Sequence, residues 1–137
     1  MKELINIQNK LNVPKTRHNS FGNYKYRSCE DIIEAVKPLC FHEGCTLTLS
    51  DDVIDVGGRV YVRASAQLVR GDSKIIVYGW AREAETKKGM DEAQITGSAS
   101  SYARKYALNG LFAIDDTKDA DAINTHGKEV DNNDFNI

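Results

Sequence analysis

Between Asp91 and Asp121 the chain reads DEAQITGSASSYARKYALNGLFAIDDTKDAD, and no other stretch limits the fold so tightly. At helical period Ile95, Ala99, Tyr102, Ala103 and Tyr106 share one side of a helix expected from Glu92 to Leu108. Gln94, Ser98, Ser101 and Lys105 form a separate polar line, and Arg104 lies between the two sets. Gly97, Ser98, Ala99, Ser100 and Ser101 are all small, so a neighbouring backbone or a bound chain can come close. Asn109-Gly110 offers a left-handed stop for the helix. Periodicity by itself describes a core helix with a solvated face.

The elements ahead of it are legible from patterning. Residues 2–12 place Leu4, Ile7 and Leu11 on one helical face, and Pro14 closes that segment. Residues 13–27 lack a helical period and interleave Lys15, Arg17, His18, Lys25 and Arg27 with Phe21, Tyr24 and Tyr26. Ser28 with Asp31 predicts a capped helix start, Ile32, Ile33, Val36, Leu39 and Cys40 give its apolar face, and Gly44 ends it. Pro38 lies inside that pattern and predicts a kink or an early end. Three alternating runs follow: 45–50 with a continuation toward Val56, 59–70, and 74–85. Gly57-Gly58 and Gly71-Asp72 are the hairpin signals between them. The expected fold is α+β: N-terminal helices, a three-stranded antiparallel sheet, and a following helix. Residues 1–116 make the core domain, and the polar, acidic 117–137 is expected to be a disordered tail.

A net charge of −2 conceals a division. From Asp115 onward there are seven acids against two bases, which leaves thirteen acids against sixteen bases in residues 1–114. No acid occurs between Glu3 and Glu30, where Lys10, Lys15, Arg17, Lys25 and Arg27 all fall. A basic body with an acidic tail suits a polyanionic partner. Cations neutralise phosphates while aromatic rings stack on bases, which is what a single-strand binder needs; a loop pinned by its rings and solvated by its lysines has the same composition. No apolar run has membrane-spanning length, no signal peptide opens the sequence, and three cysteines fit a reducing compartment, so a soluble intracellular protein without a membrane partner is expected.

The run Ile95-Thr96-Gly97-Ser98-Ala99-Ser100-Ser101-Tyr102-Ala103-Arg104-Lys105-Tyr106-Ala107-Leu108, followed by Gly110-Leu111-Phe112 and Asp115-Asp116, resembles the hallmark of the ERF (essential recombination function) family. Phe21-Gly22-Asn23-Tyr24-Lys25-Tyr26, leading into Asp31 and Val36-Lys37-Pro38-Leu39, is similar to the N-terminal pattern of that family. The resemblance covers roughly residues 4–121. It implies a phage protein that anneals complementary single-stranded DNA without ATP, in homologous recombination, in the cytoplasm of the infected host. It also implies a homo-oligomer, ring or filament, built on the β-β-β-α core shared with eukaryotic ring-forming annealing mediators. On that basis Arg104 and Lys105 are the leading DNA-binding residues, in a basic groove that holds the strand by its backbone. Lys15, Arg17, Lys25 and Arg27 join them from the basic N-terminal run, and Tyr61 and Arg63 from strand alternation. The tail reads as a solvated spacer, as a competitor for the basic groove, or as a contact for a single-strand-binding protein through Phe135 and Ile137.

No nucleotide-binding loop of either common glycine-rich pattern is present, so no nucleotide cofactor is expected. Cys40-Phe41-His42-Glu43-Gly44-Cys45 is the sole metal candidate, and with only Cys29 in addition it falls short of a paired-cluster zinc site; no metal is expected. A metal-dependent nuclease is the enzymatic alternative, since Glu85-Thr86-Lys87 with Asp72 offers carboxylates and a lysine for phosphodiester hydrolysis. Such triplets are common at charged strand ends, and histidines only at 18, 42 and 126 suggest no triad, so the expectation is a binding protein with no catalytic residues.

Overall fold

A computed structural model describes residues 1–84 and 91–115. The chain divides into two units: residues 1–13 with 28–115, and a second one whose described residues are 14–27. The expected α+β order holds in the first unit. Helix α1 spans Lys2–Lys10 and α2 Cys29–Glu43; strands β3 (Thr46–Val56), β4 (Arg59–Arg70) and β5 (Ser73–Arg82) then lead to α3, Glu92–Phe112. In the second unit, β1 (Arg17–Asn19) and β2 (Tyr24–Tyr26) pair as a small antiparallel hairpin. Strands of three residues are too short to show a period, so the sequence of this segment carries no strand signal.

Helix α2 starts where its cap requires. Ser28 Oγ accepts from the Asp31 amide at 3.1 Å, and Asp31 Oδ2 accepts from the Ser28 amide at 2.9 Å, a reciprocal box that satisfies two orphan donors. The helix runs on through Pro38 to Glu43 instead of ending there. Pro38 and Glu34, the residue whose carbonyl loses its helical donor, are both exposed. Gly44, at φ 71°, closes the helix, and Arg70 Nε donates to the Glu43 carbonyl at 3.1 Å.

The sheet order is β3-β4-β5, with two-residue hairpins at Gly57-Gly58 and Gly71-Asp72. Gly57 and Gly58 stand at φ 59° and 83°, the double positive φ that such a tight turn needs. Val62, Ala64, Ala66 and Leu68 are at most 1% exposed and form the inner face of the central strand. Leu47 and Leu49 of β3 and Ile75, Val77 and Ala81 of β5 flank them and pack on the same core. Ile7, Ile32, Val36, Leu108, Leu111 and Phe112 fill the space between the three helices and that face. Gln8 Nε2 donates to the Leu111 carbonyl at 2.9 Å, tying α1 to the last turn of α3.

Helix α3 lies across β4 and β5 on Ala99, Ala103 and Ala107, all buried. Its backbone reaches the sheet at Gly79, where any Cβ would fall well inside 3 Å of the Ala103 carbonyl oxygen and the Ala107 nitrogen. A glycine inside a strand ordinarily weakens it, and this close approach is what requires one. The helix also continues past the expected stop: Asn109 and Gly110 lie within it, Asn109 is buried, and the left-handed cap falls on Ala113 at φ 56°. Leu111 and Phe112 draw the extra turn into the core, which outweighs the turn preference of Asn-Gly. Gly79→Ala should therefore lower unfolding stability by about 1–3 kcal/mol, read as a fall in the urea midpoint at unchanged slope. An unshifted midpoint would mean that the helix does not sit on the strand backbone.

Candidate nucleic-acid interface

Arg104 of α3 is held by an acid of the sheet. Arg104 Nε donates to Asp51 Oδ1 at 3.0 Å and Arg104 Nη2 to Asp51 Oδ2 at 3.3 Å, while Ser100 Oγ donates to the same Oδ2 at 2.5 Å. Ser100 and Arg104 are four apart, hence stacked on one helical face, and Asp51 rises from the inner face of β3 opposite Ala64. The pair is pinned but not sealed: the Arg104 side chain keeps 37% of its exposure and Asp51 24%. Lys105 is half-buried on the next position of the helix. Both charges are felt at Cys29, at the start of α2, although burial and Glu30 still push that thiol up.

Strand alternation sends the neighbouring acid the other way. Asp52 stands opposite Arg63 on the outer face of the sheet and accepts from Arg63 Nη2 at 2.6 Å. That hydrogen bond raises the already high pKa of the guanidinium, so Arg63 is a cation at any working pH. The same guanidinium lies 4.8 Å from the centre of the Tyr78 ring and 5.6 Å from that of Trp80, within cation–π range. Tyr61, half-buried, is on this outer face beside Arg82. Arg104 and Arg63 therefore occupy opposite faces of one sheet, and Tyr61 and Arg63 share a surface with Tyr78 and Trp80, not with the helix cations.

The apolar side of α3 also differs from the expectation. Ile95, Ala99 and Ala103 are buried, but Tyr102 and Tyr106 are 49% and 43% exposed and stack on each other at 6.3 Å. They face an open cleft of about 420 Å³ whose other wall includes Trp80, Ala81 and Arg82, with Ser98 also lining it. With alanines able to meet the sheet backbone, there is no room beneath the helix for rings, and they are displaced to its flank. Tyr78, Trp80, Tyr102 and Tyr106 are thus surface aromatics; alternation along 74–85 sets Tyr78 and Trp80 opposite Ile75, Val77 and Ala81, but the helical period of α3 groups its tyrosines with the buried residues. The usable signal was Gly79: it shares the inward register of Val77 and Ala81, which leaves Tyr78 and Trp80 outward.

The remaining predicted cations lie on the hairpin unit. The pairs Arg17↔Tyr26 and Asn19↔Tyr24 share one face, and His18↔Lys25 the other. Arg17 and Lys25 are exposed, whereas Lys15 and Arg27 are half-buried at its base.

As for the rival chemistries, Asp72 is exposed in the β4–β5 turn, and Glu85-Thr86-Lys87 lies outside the described residues, as does the tail from residue 116. Burial raises the Cys40 thiol to about 11, with Cys45 adding to the effect, so Cys40 is protonated at neutral pH. Among the described residues no helix is long and apolar enough to cross a membrane.

The sequence profile of the ERF superfamily matches residues 1–136. The chain is similar to the "Essential recombination function protein" of Salmonella phage P22, with 58% identity over 118 residues; the match covers 86% of this chain and 57% of the phage protein. The chain therefore spans little more than half the length of that relative. No solved structure matches it.

Trp80 is the chain's one tryptophan and is 48% exposed, so its emission reports on the outer face. Arg63→Ala should increase acrylamide quenching of that emission while changing stability by less than about 1 kcal/mol. Equal quenching in both proteins would show that the guanidinium does not cover the ring.

Proposed function

The chain belongs to the ERF superfamily, and from that premise we propose that it is an ATP-independent protein that binds single-stranded DNA and anneals complementary strands in phage homologous recombination. The observation that carries this reading is Arg104: a cation inside the family motif, oriented by Asp51 at the surface and left over one-third exposed, with Lys105 beside it. A surface ion pair of this kind contributes only about 0–1 kcal/mol. A DNA phosphate, which presents the same bidentate geometry as a carboxylate, can displace Asp51 at little cost. Phosphate contacts hold a strand without selecting its sequence, and so leave base edges free to find a complement.

On this reading no catalytic group or cofactor takes part. Annealing follows from gathering two strands on cationic surfaces and lowering the entropic barrier to their pairing. Arg104 and Lys105 of one copy offer a short track, so several copies in a homo-oligomer, working in the host cytoplasm, would add up their phosphate contacts. The acidic tail would act at the edge of that track or on a single-strand-binding protein.

Three results are expected. Arg104→Ala with Lys105→Ala abolishes annealing of complementary oligonucleotides with an unchanged far-UV spectrum. The same pair of changes makes the slope of log affinity against log salt shallower by about 1.4, two phosphates at roughly 0.7 each. Asp51→Asn, which uncovers Arg104, tightens single-strand binding by up to about fivefold, the equivalent of the pair it removes. Annealing by the double variant at the parental rate would reject Arg104 and Lys105 as the site.

A further inference from the structure

The hairpin unit treats its three rings differently. Tyr24 lies across Gly22, where a Cβ would collide with the ring, and its hydroxyl accepts from Asn19 Nδ2 at 3.1 Å. Tyr26 meets Tyr24 edge-on with centroids 6.1 Å apart, and both are half-buried. Phe21 is fully exposed, at 102%. The backbone beneath it is held: Asn19 Oδ1 accepts from the amides of Phe21 at 2.9 Å and Gly22 at 3.1 Å, and Asn23 turns the chain back at φ 52°. The tip thus holds one ring out in water on a braced turn.

A lone exposed apolar side chain needs no special cause. What distinguishes Phe21 is its setting. It sits at the end of a hairpin that displays Arg17 and Lys25, inside a run from Leu4 to Cys29 with no acid at all. The partner that satisfies both features is one with negative charge and flat π faces in alternation. We propose that Phe21 stacks on a nucleobase of bound single-stranded DNA while the hairpin cations meet the flanking phosphates, an inference that rests on the annealing function above. Phenylalanine has no hydrogen-bonding group, so such a contact takes any base and leaves its pairing edge open. Both properties are what annealing requires. The tyrosines, held against Gly22 and each other, keep the tip rigid and take no direct part.

The test compares the full chain with Phe21→Ala and Phe21→Trp, using an oligo-dT strand and an abasic strand of equal length. Phe21→Ala should weaken oligo-dT binding by about fivefold or more, with the salt slope and oligomeric mass unchanged, and Phe21→Trp should retain the affinity. On the abasic strand the alanine variant and the parent should bind equally. Equal oligo-dT affinity in parent and alanine variant would overturn the stacking role and leave the annealing reading intact. An equal loss on both strands, or a loss of oligomeric mass, would overturn it by showing that the ring serves the fold or a second copy of the chain. Absence of binding by the parent to either strand at low salt would remove the annealing reading and the stacking role together.

Discussion

The backbone of α3 rests on the backbone of β5 at Gly79, and the arrangement of the first unit follows from that contact. Three buried alanines, Ala99, Ala103 and Ala107, bring the helix low enough for the contact to form. Being low, the helix sets Ser100 and Arg104 level with the inner face of β3, where Asp51 can hold them. It also leaves no space for the tyrosines, which emerge at the flank beside Trp80 and Arg82. One steric fact therefore places both the oriented cation and the exposed rings. Burial of small side chains contributes little area per residue; the gain lies in close packing over the full length of the helix and in Leu108, Leu111 and Phe112, which anchor its far end.

Much of this was readable in the residues. The Ser28–Asp31 box, the glycine pair at 57–58 and the alternation of Val62, Ala64, Ala66 and Leu68 each have one physical solution, and each is found. The failures share a cause as well. Asn109-Gly110 is a stop signal locally, but the following Leu111 and Phe112 are worth more buried than the turn is worth formed. Pro38 signals a kink or an early end, and of these the early end does not occur: the helix runs on to Glu43, with Pro38 on an exposed position. In α3 the small residues and the tyrosines lie on adjacent stripes, and a helix-period count cannot say which stripe meets the sheet. Gly79, a strand away, decides it, and that is long-range information. The hairpin at 17–26 escaped because its strands are shorter than any period.

The cations divide in a way that formal charge does not show. Arg70 serves the fold, closing α2 at Glu43 and meeting Glu3. Arg63 is held between Asp52 and two rings on the outer face, and Arg104 by Asp51 on the inner one. Adjacent aspartates on β3 thus set one arginine on each side of the sheet, an outcome of strand alternation alone. The surfaces are separate, so Arg104 and Arg63 do not share one groove. The two cationic faces differ in character: Ser100 accompanies Arg104, whereas the rings of Tyr78 and Trp80 accompany Arg63.

The central claim is that this chain pairs strands by holding their phosphates and breaks no bond. It is tested most directly by incubating two complementary end-labelled strands with the protein and magnesium, without nucleotide, and separating the products on native and denaturing gels. The account predicts duplex on the first gel and full-length strands on the second. Shortened strands, or strands left single at low salt, would contradict it.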